Sequence, residues 1–104
     1  MQSVTKPKKV VIGGYEYPVR YQSGVRGEDG KALYGKITFN PKMEITIDGS
    51  SSLQHQKQNI IHESLHGIDE WWGTQLSEEK VGRLARGIYD FIRRNPEVVK
   101  WVCK

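Results

Sequence analysis

The sequence predicts an α+β domain in which a small antiparallel β-sheet is followed by helices. Apolar and polar residues alternate through much of residues 10–47, as in strands with one exposed face. Residues 53–94 instead place apolar side chains three or four positions apart, as amphipathic helices do. The length of 104 residues fits one domain. We therefore expect a single domain over residues 1–104, in which residues 1–9 form a flexible leader.

The predicted strands are separated by turn signals. The glycine pair at residues 13–14 divides two alternating segments and predicts a hairpin. Pro18 has no N–H to donate to a ladder, so the second strand should lie at a sheet edge or carry a break. A glycine-rich polar loop covers residues 22–31. Two more strands follow it, with a bend at the Asn-Pro pair of residues 40–41.

The first helix is predicted between Ser51 and Trp72. Ser51 with Gln54 three residues later forms a capping-box pattern, and Gly73 supplies the C-terminal stop. The apolar side chains that should face the core are those of Leu53, Ile61, Leu65, Ile68 and Trp72.

The second helix is predicted to begin after Ser77, its N-cap. Glu78 and Glu79 suit the positive end of the helix dipole, and the arginines at 93–94 suit its negative end. The Asn-Pro pair at 95–96 stops the helix, and a short last helical turn follows. The core positions expected here are Val81, Leu84, Ile88 and Phe91.

Composition and charge narrow the class of protein. The net charge of +4 comes from lysines and arginines that are scattered along the chain, which does not favour nucleic acid as a partner. No run approaches the roughly 18 apolar residues of a membrane span, and the N-terminus lacks the apolar stretch of a secretory signal. The single cysteine, Cys103, predicts no internal disulfide. We therefore expect a cytoplasmic protein with no membrane partner.

The segment HESLH, residues 62–66, lies in the middle of the first predicted helix. Residues four apart on a helix point the same way, so His62 and His66 could hold one metal ion. Glu63 is one step round the helix and could take a proton from metal-activated water. This is the HExxH arrangement of zinc hydrolases. The competing interpretation is a helix that carries two surface histidines.

A catalytic zinc ion usually has three protein ligands, so one more is needed. The metzincin continuation would place a glycine at position 69 and a histidine at position 72. This sequence has Asp69 and Trp72 there, which excludes that class. His55 falls about two turns, or ~10 Å, from His62, which is too far to share the ion.

The acidic start of the second helix offers Glu78 and Glu79 as the third ligand. Glu78 is in line with core positions, whereas Glu79 is in line with Gly82, where two helices could approach closely. We prefer Glu79 slightly and leave both open, since either glutamate could instead only complement the helix dipole. Asp69, three residues after His66, is a candidate for accepting the outer N–H of a ligand histidine. An exposed helix-end carboxylate is the alternative for Asp69.

Three segments, GKITFNPKMEITID, QKQNIIHESLHGIDEWWG and LSEEKVGRLARGIYDFIRRNPE, resemble small zincin-like metallopeptidases of the ImmA/IrrE-related group. Stand-alone members in bacteriophages and Gram-positive bacteria are especially similar. The resemblance covers about residues 10–98, and HExxH is its most specific part. It implies a minimal, gluzincin-like zincin fold with a small sheet, an active-site helix and a ligand-bearing second helix. It also implies His62 and His66 as zinc ligands, Glu63 as the base, and a glutamate heading the second helix as third ligand.

These observations together predict a Zn²⁺-dependent peptidase in the cytoplasm of a bacterium or a phage-infected host cell. Its partner would be a protein or peptide substrate, bound as an added strand beside the strand that contains Ile45 and Ile47. The main alternative is a non-catalytic, zinc-stabilised binding or regulatory module. A basic nucleic-acid-binding domain is a weaker alternative, because it leaves the HESLH segment without a role.

Overall fold

The computed structural model describes residues 5–104, which form an α+β fold of four strands and three helices. The strands come first and are β1 (Lys9–Ile12), β2 (Tyr15–Gln22), β3 (Gly35–Thr38) and β4 (Glu44–Asp48). The helices follow as α1 (Leu53–Trp72), α2 (Glu78–Arg94) and α3 (Pro96–Val102). The predicted division into a β-rich first half and a helical second half is confirmed.

The sheet is mixed, so the prediction of an antiparallel sheet is wrong at its centre. The strand order is β1-β2-β4-β3. The outer pairs, β1–β2 and β3–β4, are antiparallel, but β2 and β4 are parallel. After β2, residues 23–34 lead the chain past one strand position to β3. The chain then turns back as β4, which fills the position between β2 and β3. Alternation in a sequence reports which face of a strand is buried, not the direction of its neighbour.

Pro18 lies in a strand with neighbours on both sides, not at an edge of the sheet. β1 pairs with the first half of β2 and ends its register at Pro18, opposite Lys9. β4 pairs with the second half, from Val19 onward. The missing N–H of proline therefore falls where β2 changes from one partner strand to the other. Of the two predicted alternatives, an edge strand or a break in pairing, the structure shows a change in pairing at Pro18.

Residues 7–9, which the sequence assigns to a flexible leader, are attached to the sheet. Residues 1–4 lie outside the described part of the chain. Lys9 already belongs to β1, and the carbonyl oxygen of Lys8 accepts a 2.9 Å hydrogen bond from the backbone N–H of Val19. The hydroxyl of Tyr21 donates to the carbonyl oxygen of Pro7 at 2.8 Å. These bonds attach residues 7–9 to β2.

The helix ends follow the capping signals closely. The N-cap of α1 is Ser52 rather than Ser51, and its hydroxyl accepts from the N–H of His55. Gly73 ends α1 in the left-handed conformation, at a φ of 61°. Ser77 caps α2 as predicted. None of the helices within residues 5–104 has the length and apolar character required to cross a membrane.

Two small cores lie on opposite sides of α1. One fills the space between the sheet and α1, and its buried members are Ile12, Tyr17, Val19, Ile45 and Ile47. The other lies between α1 and α2 and contains Leu65, Val81 and Ala85. The sheet and α2 therefore contact different faces of the same helix.

The apolar stripes predict the buried residues of the helices only in part. Leu53 and Trp72 of α1 are 59% and 63% exposed, and Leu84 and Phe91 of α2 are also exposed. A periodic pattern identifies one face of a helix, but not which turns of that face another element covers. The buried residues of α1 are Gln56, Glu63, Leu65 and Gly67.

An aromatic contact and a glycine hold α1 close to the sheet. The indole of Trp71 stacks on Tyr15, with ring centroids 4.4 Å apart, and donates a 2.7 Å hydrogen bond to the hydroxyl of Tyr17. A Cβ atom on Gly67 would lie 2.6 Å from Cδ1 of Ile12, which is closer than side chains pack. The absent side chain therefore permits the close approach of α1 to β1.

Candidate metal centre

The middle of α1 and the first turn of α2 bring His62, His66 and Glu78 together. The two imidazole rings lie one helical turn apart, with centroids separated by 5.0 Å. One carboxylate oxygen of Glu78 is 2.7 Å from Nε2 of His62, and the other is 2.7 Å from Nε2 of His66. The histidines are half-buried and Glu78 is exposed, so the cluster opens to solvent where α1 meets α2.

The turn between α1 and α2 places Glu78 beside the histidines. Oδ1 of Asp69 accepts hydrogen bonds from the hydroxyl of Thr74 and from the backbone N–H of Leu76, the latter at 3.0 Å. These two bonds hold the pKa of the Asp69 carboxyl below its usual range. Asp69 therefore ties the end of α1 to the turn that leads into α2.

This arrangement differs from the predicted role of Asp69 as a partner of a ligand histidine. Among residues 5–104, its carboxylate bonds to the turn and makes no hydrogen bond to either imidazole of the cluster. The charge of nearby His66 makes a smaller contribution to lowering the pKa of Asp69. The observed partners of Asp69 are therefore in the turn after α1, and no spacing rule in the sequence indicates them.

Glu79 faces away from the histidines. Its carboxylate pairs with the guanidinium of Arg83 one turn further along α2. Two adjacent helical residues differ by about 100° around the axis, so only one of them can face α1. The geometry favours Glu78, contrary to the slight preference for Glu79 drawn from the sequence. The way in which α2 packs on α1 determines whether Glu78 or Glu79 faces the histidines. No local sequence pattern predicts that packing.

Glu63 is the most buried carboxylate near the cluster. Its exposure is 6%, and it lies against β3, where a Cβ on Gly35 would be 3.5 Å from its Cγ. Burial, and then the negative charge of Glu78, raises the pKa of Glu63 to about 8. A carboxylate with so high a pKa accepts a proton far more readily than an ordinary one. The HESLH segment thus joins a buried carboxyl group to two imidazoles that reach the surface.

The donor atoms of the cluster suit a divalent transition metal. Two imidazole nitrogens and a carboxylate oxygen lie within 4.8 Å of one another, and this combination is one that zinc accepts. His55 is outside the cluster, as the spacing predicted, with its ring 5.3 Å from that of Tyr34. Cys103 is exposed in the last residues of the chain and is not part of the cluster.

The free edge of the sheet beside Glu63 belongs to β3, not to β4. β4 pairs with β2 on one side and β3 on the other, so it has no free edge for a substrate strand. The expectation that a substrate adds beside Ile45 and Ile47 is therefore wrong. Gly35 opens β3 next to Glu63, since a Cβ added there would lie 3.5 Å from Cγ of Glu63, and sequence analysis missed this proximity. A glycine within a strand often marks a close approach, and that was the available signal.

Comparison of the chain with protein-family models, with curated proteins and with solved structures gives no match. The class of protein is therefore described from the fold and the site alone. This is an α+β protein with a candidate metal centre of two histidines and one glutamate between its first two helices.

Proposed function

We propose that this protein is a zinc-dependent peptidase in which His62, His66 and Glu78 bind Zn²⁺ and Glu63 is the general base. One observation carries the proposal. Glu78 reaches from a second helix to within 2.7 Å of Nε2 on both histidines of an HExxH segment. The resemblance to zincin-like metallopeptidases supports the same assignment, because it expects a glutamate ligand at the head of this helix.

The number of donors favours a catalytic site over a structural one. Structural zinc sites usually have four protein ligands, whereas catalytic sites keep one position open for water or substrate. Among residues 5–104, the cluster of metal-binding side chains contains three members. The exposed side of Glu78 leaves access from solvent.

A bound zinc ion would supply Lewis acidity, which acidifies water and polarises a substrate carbonyl group. Glu63 would accept a proton from the attacking water and deliver it to the leaving amine. In the zinc-free protein, burial raises the pKa of Glu63 to about 8, so this carboxyl accepts a proton more readily than an exposed one does.

The proposed substrate is an extended peptide segment that adds to the free edge of β3. Strand addition uses backbone hydrogen bonds and so tolerates varied side chains. β3 begins at Gly35, which lies against Glu63. A segment bound along this edge would pass beside the proposed base.

Zinc analysis of the purified protein tests the metal assignment directly. We expect one equivalent of zinc per chain after purification without added metal, and its removal by a chelator should be reversible. A folded protein that neither contains zinc nor takes it up in a titration would contradict the proposal.

Replacing the two glutamates separately tests the third ligand. Loss of a residue that only hydrogen-bonds to a metal ligand typically weakens metal binding by about 10- to 100-fold. Because Glu78 is the proposed ligand itself, Glu78→Gln should weaken zinc binding by more than this. Glu79→Gln should bind zinc like the wild type, because Glu79 pairs with Arg83 on its own helix. Zinc affinity from competition with a chromophoric chelator provides the measurement. Equal, small losses in both variants would show that neither glutamate is the third ligand.

A further inference from the structure

A cleft of about 290 Å³ adjoins the proposed metal centre. One wall is a face of α1 that carries Gln58, Asn59 and His62, and Arg86 of α2 forms part of the opposite wall. Tyr34, just before β3, also lines it. Because His62 belongs to both the cleft and the metal cluster, a substrate held at the metal would have a neighbouring group in this cleft.

The cleft presents hydrogen-bond donors and a positive charge, and none of the described residues that line it carries a carboxylate. Within residues 5–104, Arg86 has no acidic partner. Two other arginines of α2, Arg83 and Arg94, each pair with an acidic residue four positions earlier. Arg83 pairs with Glu79, four residues earlier. The residue four before Arg86 is Gly82, which has no side chain. Arg86 is therefore free to meet a negative group in the cleft.

The amide of Gln58 adds a second donor. Gln58 is half-buried, and its side chain makes no hydrogen bond to the described part of the chain. By contrast, the side-chain amide of Asn59 donates to the carbonyl oxygen of His55 at 2.7 Å. An arginine and a free amide on facing walls match a carboxylate, which needs several donors around its two oxygens.

We propose that this cleft is a substrate subsite that binds a carboxylate next to the scissile bond, with Arg86 as the residue that determines specificity. The inference rests on the proposed function, since it places the substrate at the metal centre. The carboxylate belongs either to an aspartate or glutamate side chain or to the C-terminus of the substrate. Both sources present the same chemistry to Arg86 and Gln58.

Binding of peptide hydroxamates to the zinc-loaded protein tests the subsite without requiring turnover. A hydroxamate attached to either end of a short peptide would anchor it at zinc and offer the neighbouring residue to the cleft. The two placements of the hydroxamate give two series of peptides. In one of these series, we expect the peptide with a glutamate next to the hydroxamate to bind about tenfold or more tightly than the peptide with a glutamine there. This factor is on the scale of a charge-assisted hydrogen bond. A second pair, with a free C-terminal carboxylate or a carboxamide, distinguishes a chain end from a side chain.

Two arginine variants on α2 give the contrast. Arg86→Gln should remove the preference for the carboxylate peptide while leaving binding of the neutral peptide close to wild type. Arg83→Gln should keep the preference, because Arg83 pairs with Glu79 and does not line the cleft. High salt should reduce the preference in the wild type, since the cleft is open to solvent.

Several outcomes would overturn the inference. Equal affinity for acidic and neutral peptides removes the subsite and leaves the metal centre intact. Failure of every hydroxamate to bind a zinc-loaded protein would instead contradict an open position on the zinc, and with it the proposed function. An Arg86→Gln variant that weakens every peptide by the same factor would assign Arg86 to the metal-bound group, not to specificity. If zinc itself fails to bind, the proposed function fails first, and the zinc titration reports that separately.

Discussion

Glu63 and Glu78 carry the same functional group in different surroundings. Glu63 is 6% exposed and lies against β3, whereas the side chain of Glu78 is 72% exposed and faces two imidazoles. Burial raises the pKa of Glu63 by disfavouring its charged form. This contrast supports the proposed assignment of Glu63 as base and Glu78 as ligand.

The proposed mechanism predicts that Glu63→Gln separates binding from catalysis. Glutamine preserves the size of the side chain but cannot accept the proton, so the variant should retain its fold and its zinc. Its turnover should fall by about 10²- to 10⁴-fold, the usual contribution of general acid–base catalysis. Cleavage of a peptide library by the wild type supplies the substrate for the comparison. An unchanged rate in the variant would remove Glu63 from the mechanism.

Glu63 also predicts how the stability of the zinc-free protein depends on pH. Its pKa is about 8 in the folded protein and 4.5 as an ordinary carboxyl. Between these values the folded state binds more protons than the unfolded state, so the free energy of unfolding falls as pH rises. The contribution is greatest below 4.5 and is lost as pH passes through about 8.

Urea unfolding of the chelator-treated wild type and of Glu63→Gln measures this effect. The difference between the two proteins isolates Glu63, because both retain the same histidines. The glutamine variant should be the more stable one at the alkaline end. Parallel stability curves from pH 4.5 to 8 would show that burial of Glu63 does not raise its pKa.

At the scale of elements, α1 has to contact the sheet and α2 while presenting the histidines. Small and polar residues make this possible: Gly67 lets α1 approach β1, and Glu63 fills space beside β3. The most apolar positions at the ends of α1 contribute less burial than their pattern predicts, as Leu53 and Trp72 show. A residue of the candidate site, Glu63, therefore occupies a buried position on α1 that an apolar side chain would usually fill.

Gly67→Ala is predicted to destabilise the fold. The added methyl group would lie 2.6 Å from Cδ1 of Ile12 and 3.2 Å from Cδ1 of Ile37. Overpacking of this kind costs about 1 to 3 kcal/mol, which outweighs the up to about 1 kcal/mol that alanine gains in helix propensity.

Gly87→Ala in α2 is the matched control, because a methyl group added there would meet no other part of residues 5–104 within 4 Å. It should leave stability unchanged or increase it by up to about 1 kcal/mol. Urea denaturation of both variants checks the pair. Equal stabilisation by the two alanines would mean that α1 has room to move away from β1.

At the scale of the whole molecule, α2 is joined to the rest of the protein through α1. Within residues 5–104, α2 packs on α1 and α3 and has no comparable contact with the sheet. The core between α1 and α2 has three buried members, Leu65, Val81 and Ala85. A metal ion held by both helices would therefore add a strong link at the weaker of the two packing layers.

Zinc is predicted to raise the thermal stability of the protein. At a free concentration 100 times its dissociation constant, a ligand that binds only the folded state adds about 2.7 kcal/mol. For a domain of this size, Tm should rise by about 4 to 8 °C for each kcal/mol.

Thermal unfolding with zinc and with chelator provides the measurement. His66→Ala should abolish the shift, and His55→Ala should retain it, because His55 lies outside the cluster. A shift of the same size in both variants would place the zinc elsewhere. A full shift in wild type together with no cleavage of any peptide would instead favour the non-catalytic, zinc-stabilised alternative.

The local features of this protein are determined by its sequence. Ser77, Gly73 and the Asn-Pro pair at 95–96 set the helix boundaries through hydrogen bonds and backbone angles within a few residues. The one-turn spacing of His62 and His66 follows equally from helix geometry alone. Such interactions act over one or two turns, so they leave a readable pattern in a single chain.

Only the tertiary structure decided the parallel pairing of β2 with β4 and the presence of Glu78, not Glu79, beside the histidines. Both depend on how distant segments dock. The free energies of alternative dockings differ through many small contacts, such as those of Gly67 with β1 and Trp71 with β2. No local periodicity records that sum, because the contacting residues are separated along the chain and meet only when the whole domain folds.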